Sequence, residues 1–436
     1  MPAPTAPRAI KELRISTRTA LSRAARRGRG TRPSRRTTAA TGLLLSCVLT
    51  TASCASASTS PGPSGQPDSG SGSGSGGSSG PASTSGSASA QSSSASASTA
   101  NLTPMQLAGQ RVIYSFSGTT PPDSLIRLIK EGEVGGVIFF SSNITSVSQL
   151  ATVTKELDAA QQAGPVHLPL LLMTDQEGGQ VRRIAGGQPT ESELAIGESA
   201  NPAKAAASAG TGAAQTLSDA GLNVNLAPVL DVYAVPGNFI DQFQRSYSSD
   251  PTVVSSAAAA FITAQQEAGV AATAKHFPGL GTAPTNDDTD NIPVTLNEPL
   301  NQLRAVDELP YKAAISVGVE LIMVSWAVYP AFDATRPAGL SSAVVQQELR
   351  QRLGYSGVTI TDALEAKALE AYGGPGPRAV DAASAGMDLL LCSSGSVTQG
   401  EEATAALASA LQGGQLTSSS FNAAVQRIDA LRTKLG

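Results

Sequence analysis

The segment KHFPGLG at residues 275–281 carries the densest group of chemically useful side chains in this sequence. An apolar run, VAATA, leads into a lysine, a histidine and two glycines, and a loop rich in carboxylates follows. In parallel barrels, side chains at the carboxyl ends of the strands line the functional mouth. The pattern therefore predicts a functional site for a polar ligand at this strand end.

Three other apolar runs also end in an acidic residue, namely Asp175, Asp231 and Asp362. A single acid in such a position can simply cap the next helix. With Lys275 and His276, however, four strand ends carry polar clusters, and a barrel gathers its strand ends around one mouth. We therefore predict that these residues meet in a single site.

Short apolar runs alternate with longer amphipathic segments from residue 101 to residue 436, which is typical of βα units. An open doubly wound sheet also alternates in this way, but no glycine-rich dinucleotide turn follows the first strand. We therefore predict an α/β fold, a single (β/α)8 TIM-type barrel over residues 101–436. The predicted strands are 111–116, 135–140, 169–174, 223–230, 270–275, 321–326, 358–361 and 387–392, and predicted helices include 146–162, 202–219 and 251–267.

The first 54 residues have the layout of a bacterial lipoprotein signal peptide. Residues 1–36 carry ten Arg and one Lys against one acid, and the uncharged residues 37–53 contain GLLLSCVLT. This apolar stretch is too short for a permanent membrane span. We predict that Cys54 is lipidated and begins the mature protein, with Cys47 or an ordinary cleaved signal as the alternatives.

Residues 55–100 consist almost wholly of Ser, Ala, Gly, Pro and Thr. Such a segment has too little apolar surface to offset the entropy of ordering, so we predict a disordered linker. The linker would tether the folded part to the outer face of the bacterial membrane, or the protein would be secreted.

The acidic net charge beyond residue 36, and the small number of histidines and cysteines, argue against several classes of function. Beyond residue 36 the chain has 19 Lys and Arg against 33 Asp and Glu, which argues against nucleic acid or anionic lipid as the main partner. The two histidines, His167 and His276, and the folded part's one cysteine, Cys392, show no metal-ligand spacing. The segment 279–281 lacks the Gly-Lys-Ser/Thr of a phosphate loop. We therefore expect no metal and no cofactor.

Four motifs resemble those of glycoside hydrolase family 3, in particular its compact bacterial β-N-acetylglucosaminidases. They are MTDQEGGQVRRI (173–184), RSYSSDP (245–251), KHFPGLG (275–281) and GVTITDALEAKAL (357–369), in matching order and spacing. The resemblance covers most of residues 101–436. It also implies a (β/α)8 barrel, without the second domain that many family members carry.

The resemblance implies a retaining mechanism, in which one carboxylate attacks the anomeric carbon and a second group protonates the leaving oxygen. Asp362 stands in the position of the family's nucleophile. Five further residues stand where the family binds the sugar hydroxyls and the acetamido group, and these are Asp175, Arg183, Arg245, Lys275 and His276.

The chain departs from this family at the proton donor. Where the glucosaminidases have Asp-Ser/Thr-His, with the histidine as general acid and base, this chain has Asn286-Asp287-Asp288. Counting from Gly281, Asp288 occupies the histidine position. We predict that Asp288, or its neighbour Asp287, is the acid, as a carboxylic acid is in most glycosidases. Trp326 also replaces a histidine of many relatives, and we expect it to pack in the core.

The predicted signal peptide indicates export, and the resemblance implies an enzyme that removes terminal β-linked N-acetylglucosamine from peptidoglycan-type cell-wall fragments. A β-glucosidase or β-xylosidase on the same barrel is one alternative. A glycan-binding lipoprotein with weakened catalysis is the other. The expected partner is a carbohydrate, with membrane contact only through a lipid anchor, and a monomer is favoured.

Overall fold

Eight parallel strands close into a barrel in the computed structural model of the chain, which describes residues 101–436. The strands follow one another around the barrel in chain order, and the last pairs with the first. The predicted (β/α)8 barrel is therefore confirmed. The predicted signal segment with Cys47 and Cys54, and the predicted linker 55–100, lie outside the described residues.

Each of the eight predicted barrel strands is present, and six are shorter than predicted. The strand that carries Asp362 is in register with its neighbour over four pairs, from Val358 opposite Leu321 to Thr361 opposite Val324. The strands are β1 (Val112–Tyr114), β2 (Gly136–Ile138), β3 (Leu171–Thr174), β4 (Gln176–Gly178), β5 (Val181–Arg182), β6 (Val224–Asn225), β7 (Ala271–Phe277), β8 (Leu321–Val324), β9 (Val328–Tyr329), β10 (Asp333–Pro337), β11 (Val358–Ala363) and β12 (Leu389–Leu391).

Two of these strand pairs are short antiparallel hairpins outside the barrel sheet. The pair β4 and β5 follows β3 directly, and the pair β9 and β10 follows β8. The turn of the first hairpin requires glycine, because Gly178 has a φ of 118° and a Cβ there would lie 2.2 Å from the carbonyl oxygen of Glu191. This hairpin returns the chain to the end of β3, where the Arg183 N–H donates to the carbonyl of Asp175 at 3.2 Å.

Most of the α-helices lie between barrel strands, and the three predicted segments, 146–162, 202–219 and 251–267, agree with observed helices to within one residue. The α-helices are α1 (Pro104–Gly109), α2 (Asp123–Lys130), α3 (Val147–Gln162), α4 (Glu193–Gly197), α5 (Pro202–Asp219), α6 (Pro251–Glu267), α7 (Leu300–Gln302), α8 (Leu309–Ser316), α9 (Pro375–Ala385), α10 (Val397–Gln412) and α11 (Ser418–Leu435).

Local signals explain why α5 and α6 begin where they do. Each has proline in its first turn, where the missing N–H costs nothing. The residue before the proline caps the helix: the Asn201 side chain accepts the N–H of Lys204, and the Asp250 side chain accepts that of Thr252. Both helices begin and end at the predicted residues.

The core has two layers. Apolar side chains such as Ile113, Leu171 and Met173 fill the barrel interior, and a larger set packs between the barrel and the helices. The last helix, α11, covers the amino-terminal end of the barrel, where Arg432 donates to the carbonyls of Leu168 and Pro169 just before β3. This leaves the carboxyl end of the barrel for a site.

Within residues 101–436, none of the helices combines the length and the apolar character needed to cross a membrane.

Candidate active site

A cavity of about 400 Å³ opens at the carboxyl ends of the barrel strands, a size suited to a small ligand. Asp287 does not line it. The other seven site residues predicted in the described part do, and they are Asp175, Arg183, Arg245, Lys275, His276, Asp288 and Asp362. Three carboxylates that were not selected from the sequence also line the cavity, and they are Glu177, Asp290 and Glu365.

Lys275, near the end of β7, is the centre of a buried ion network. Its Nζ donates to Asp175 Oδ1 at 2.8 Å and lies 2.7 Å from Glu177 Oε1, and its side chain is only 2% exposed. Burial alone would lower the pKa of Lys275, but the negative charges of Asp175 and Glu177 outweigh burial and raise it. Lys275 is therefore a fixed cation that holds both carboxylates in place.

Arg245 completes this network from the loop after β6. Its guanidinium binds both oxygens of Glu177, at 2.8 and 2.9 Å, in the bidentate geometry that is the strongest form of this pair. Although burial alone would raise the pKa of Glu177, Arg245 and Lys275 lower it to about 2. Because Glu177 stays ionised and both its oxygens are bound, it acts as an anchor for the two cations rather than as a proton donor. On the other side, Arg183 Nε lies 3.7 Å from Asp175 Oδ2.

His276 is oriented from behind by Asp231, which is fully buried. His276 Nδ1 lies 2.8 Å from Asp231 Oδ2, while Asp231 Oδ1 accepts the backbone N–H groups of His276 at 3.2 Å and Leu280 at 2.7 Å. A carboxylate in contact with Nδ1 favours the proton on that nitrogen and leaves Nε2 for a ligand. Asp231 thus lies behind the cavity wall, where it positions His276.

Asp362, at the end of β11, is half-buried and faces the cavity. Its Oδ1 accepts the N–H of Ala363 at 2.8 Å, and within residues 101–436 its Oδ2 makes no hydrogen bond. Trp326 is fully buried and donates its indole N–H to the carbonyl of Ala363 at 2.9 Å. Trp326 therefore packs in the core, as expected, and supports the strand end that presents Asp362.

The acidic loop after β7, residues 287–290, has two carboxylates at the cavity, Asp288 and Asp290, which differ in their hydrogen bonds. Asp288 Oδ1 accepts the N–H of Asp290 at 3.0 Å, and its Oδ2 accepts the side-chain amide of Asn291 at 2.5 Å. Both oxygens of Asp288 therefore stabilise the turn itself. The side chain of Asp290 makes no hydrogen bond within residues 101–436, and it faces the cavity that Asp362 also lines.

Glu365 is held by a separate set of donors. Ser393 Oγ donates to its Oε1 at 2.6 Å, and the Ser393 N–H and the Gln399 amide donate to its Oε2 at 3.2 and 2.9 Å. Glu365 therefore adds a fixed negative charge to the wall next to Asp362.

Within residues 101–436, the site combines Asp362, which has one oxygen without a hydrogen bond, Asp290, whose side chain makes none, and a rigid set of charged hydrogen-bonding groups. Such an arrangement suits nucleophilic attack with proton donation to a leaving group. In the part of the chain that the structure describes, no group of three or more His, Cys, Asp or Glu is arranged to hold a metal ion.

Comparisons with known proteins agree with the resemblance seen in the four sequence motifs. The family model described as Glycosyl hydrolase family 3 N terminal domain matches residues 106–431. A protein of Arthroderma benhamiae, named an uncharacterized secreted glycosyl hydrolase, is 47% identical over 330 residues, which are 75% of this chain and 93% of that protein. Beta-hexosaminidase A of Pseudoalteromonas piscicida is 32% identical over 372 residues, with 77% of this chain and 62% of that protein covered.

Among solved structures, a glycoside hydrolase family 3 beta-N-acetylglucosaminidase from Paenibacillus sp. str. FPU-7 superposes with a TM-score of 0.73 at 34% identity. The match covers 77% of this chain and 63% of that one. The chain therefore spans less than two thirds of the length of the Pseudoalteromonas and Paenibacillus proteins, and nearly the whole length of the Arthroderma protein.

Proposed function

Since the chain belongs to glycoside hydrolase family 3 and is a glycosidase, we propose that it is a retaining β-N-acetylhexosaminidase. Its proposed substrates are terminal β-linked N-acetylglucosamine residues on peptidoglycan-type cell-wall fragments. The relatives named beta-hexosaminidase and beta-N-acetylglucosaminidase support an amino-sugar substrate. The observation that carries the proposal is the free Oδ2 of Asp362 in the cavity that also contains the Lys275 network.

The proposed sugar-binding groups are Asp175, Arg183, Arg245, Lys275 and His276. They suit a neutral, hydroxyl-rich ring, because hydrogen bonds to charged groups contribute about 1.5–3 kcal/mol each and discriminate strongly between ligands. Ion pairs with one another and with Glu177, together with the contact of His276 with Asp231, fix these groups before the substrate binds, so little ordering is required on binding.

The proposed nucleophile is Asp362. Its Oδ2 would attack the anomeric carbon and form a covalent glycosyl-enzyme, while a second group protonates the departing oxygen. The loop 287–290 is the proposed source of carboxylates for that second role, for which the sequence predicts Asp288 or Asp287. No metal or cofactor takes part in the proposed reaction.

A set of matched aryl glycosides tests the substrate class. With the same leaving group on β-N-acetylglucosamine, β-glucose and β-xylose, we expect kcat/KM to favour the N-acetylglucosaminide on the order of 10²-fold or more, because buried polar groups reject an analogue that leaves them unpaired. Higher turnover of the glucoside or xyloside would replace the proposed substrate class. Binding of the sugar without turnover of any of the three would identify a glycan-binding protein.

We also propose that the protein works outside the cytoplasmic membrane, anchored through a lipid on Cys54. Export is supported by the relative that is named as secreted and by the predicted signal segment. In a bacterial host with the lipoprotein pathway, we expect the protein in the membrane fraction, with an N-terminal lipidated cysteine by mass spectrometry. Cys54→Ser should release it to the medium or leave it unprocessed, whereas a modified Cys47 or an unmodified N-terminus in the wild type would contradict the assignment.

A further inference from the structure

We propose that Asp290, rather than Asp288 or Asp287, is the general acid and base of this site. This inference rests on the proposed glycosidase reaction and names the residue that the sequence-based prediction of its proton donor did not reach.

The acidic loop, residues 287–290, docks on the segment that follows the nucleophile. The backbone N–H of Lys367 donates to the carbonyl of Asp290 at 3.2 Å, and that of Ala368 donates to the carbonyl of Thr289 at 3.1 Å. Lys367 lies only five residues after Asp362 in the chain. These two hydrogen bonds therefore tie the backbone of Asp290 to the segment that carries the nucleophile, and both carboxylates line one cavity.

The three carboxylates in the loop differ in their hydrogen bonds and in their access to the cavity. A general acid needs an oxygen that can carry a proton toward the substrate and release it. Both oxygens of Asp288 already accept hydrogen bonds from Asp290 and Asn291, and Asp287 does not line the cavity. The side chain of Asp290 has no such bonds within the described residues 101–436. The structure thus gives Asp288 the role of a positioning residue, which holds the turn that presents Asp290.

The charges that face Asp290 favour its protonated form. Partial enclosure by the protein, together with the negative charges of Asp362, Asp288 and Glu365, raises the pKa of Asp290 to about 7, and the positive charge of Arg245 opposes this rise. Asp290 is exposed at the mouth of the free cavity, and a bound sugar would cover it further. The residue is therefore in a suitable protonation range to give a proton and later take one back.

The two steps balance as follows. The Asp362 carboxylate forms a bond to the anomeric carbon, the bond from that carbon to the leaving oxygen breaks with its electron pair, and the Asp290 carboxylic acid transfers its proton to that oxygen. In the second step the Asp290 carboxylate takes a proton from water, the water oxygen bonds to the anomeric carbon, and the bond to Asp362 breaks with its electron pair. Both carboxyl groups return to their starting states.

The test compares Asp290→Asn with Asp288→Asn on two β-N-acetylglucosaminides, one with a dinitrophenyl leaving group and one with an unactivated sugar leaving group. For Asp290→Asn we expect kcat/KM on the unactivated substrate to fall by about 10²–10⁴-fold, the usual contribution of a general acid. The activated substrate should retain kcat/KM within about tenfold, because a dinitrophenolate needs no proton to leave. Azide should accelerate the turnover of the activated substrate by Asp290→Asn and yield the β-glycosyl azide, because azide needs no general base.

A pH profile gives an independent readout. In the wild type, kcat/KM on the unactivated substrate should fall as the pH rises through about 7, since the free enzyme must carry the Asp290 proton. Asp290→Asn should lose this limb. Asp288→Asn should keep it, because Asp290 is still present, and its loss on the unactivated substrate should be smaller than that of Asp290→Asn.

The outcomes separate this inference from the proposed function. A wild-type protein that hydrolyses neither substrate would overturn the function itself. An active wild type in which Asp288→Asn, but not Asp290→Asn, shows the split between leaving groups and the azide product would overturn the assignment to Asp290. An Asp290→Asn variant that remains active on the activated substrate is folded, so a failure to fold cannot be mistaken for a lost acid.

Discussion

Replacing Asp362 by asparagine should abolish turnover of both activated and unactivated β-N-acetylglucosaminides. The amide is a poor nucleophile, so the covalent step has no substitute, and the loss should approach the scale of about 10⁶ in kcat that follows removal of a covalent nucleophile in another hydrolase. Asparagine keeps the shape of the side chain, and its side-chain oxygen can still accept the N–H of Ala363. We therefore expect nearly unchanged stability and sugar binding, measured by thermal unfolding and by calorimetric titration with N-acetylglucosamine.

A chemical trap separates the nucleophile from a residue that only supports the site. A 5-fluoro N-acetylglucosaminyl substrate with an activated leaving group should accumulate a covalent adduct, and mass spectrometry of peptides should place it on Asp362. Glu365→Gln is the matched control, because it removes a neighbouring charge that Ser393 and Gln399 hold fixed. This control should still form the adduct. Turnover by Asp362→Asn at more than a few per cent of the wild-type rate, or an adduct on another carboxylate, would contradict the assignment.

The barrel and the position of Asp362 could both be predicted from the sequence for one physical reason. A buried parallel strand is apolar over its whole length, so the first charged residue after VTIT marks where the strand reaches the mouth. Because Asp362 is itself part of β11, the side-chain alternation and register of that strand leave little freedom in where its carboxylate lies. Residues carried directly on strand ends, such as Lys275, were predictable in the same way.

The proposed proton donor, Asp290, could not be predicted in this way, because it lies in a loop. Counting residues from Gly281 points to Asp288. In a loop that folds back on itself, however, spacing along the sequence does not determine which side chain lies nearest the cavity. The turn is stabilised by Asp288, and the loop is anchored to the backbone of Lys367 and Ala368, far along the chain. No local pattern in the sequence indicates such an anchor.

Glu177 and Asp231 were missed as positioning groups for a related reason. Both lie in segments that were recognised as polar strand ends, but their roles depend on partners that are distant in sequence. Glu177 binds Arg245, which lies 68 residues away, and Asp231 orients His276 at a separation of 45 residues. A charge at a strand end therefore identifies the site, whereas the division into binding and supporting residues requires the fold.

Replacing Lys275 by methionine should destabilise the protein more than any surface substitution. Methionine has a similar length and apolar stem, but it leaves Asp175 and Glu177 without the cation that lies 2.8 and 2.7 Å from their oxygens. Removing one partner of a buried ion pair typically costs about 3–5 kcal/mol, since the remaining charge stays buried and uncompensated. Urea unfolding of the purified domain should show this decrease. Lys204→Met, an exposed lysine on α5, is the matched control and should change stability by less than about 0.5 kcal/mol.

The pH dependence distinguishes this electrostatic cost from a simple packing defect. The pKa values of Asp175 and Glu177 are lowered in the folded protein, to about 2 for Glu177, so their contribution to stability is present above the unfolded-chain value of about 4. That contribution is lost as the pH falls through the pKa values that Asp175 and Glu177 have in the folded protein. The stability difference between wild type and Lys275→Met should therefore be largest near pH 7 and narrow as the pH falls toward about 2, where the carboxyl groups become protonated in both proteins. Adding Asp175→Asn to the variant should recover part of the loss, because it removes the carboxylate whose remaining ion pair is the long one with Arg183, at 3.7 Å, whereas Glu177 keeps its pair with Arg245. A pH-independent difference, or no recovery in the double variant, would indicate that lost packing rather than lost charge pairing dominates.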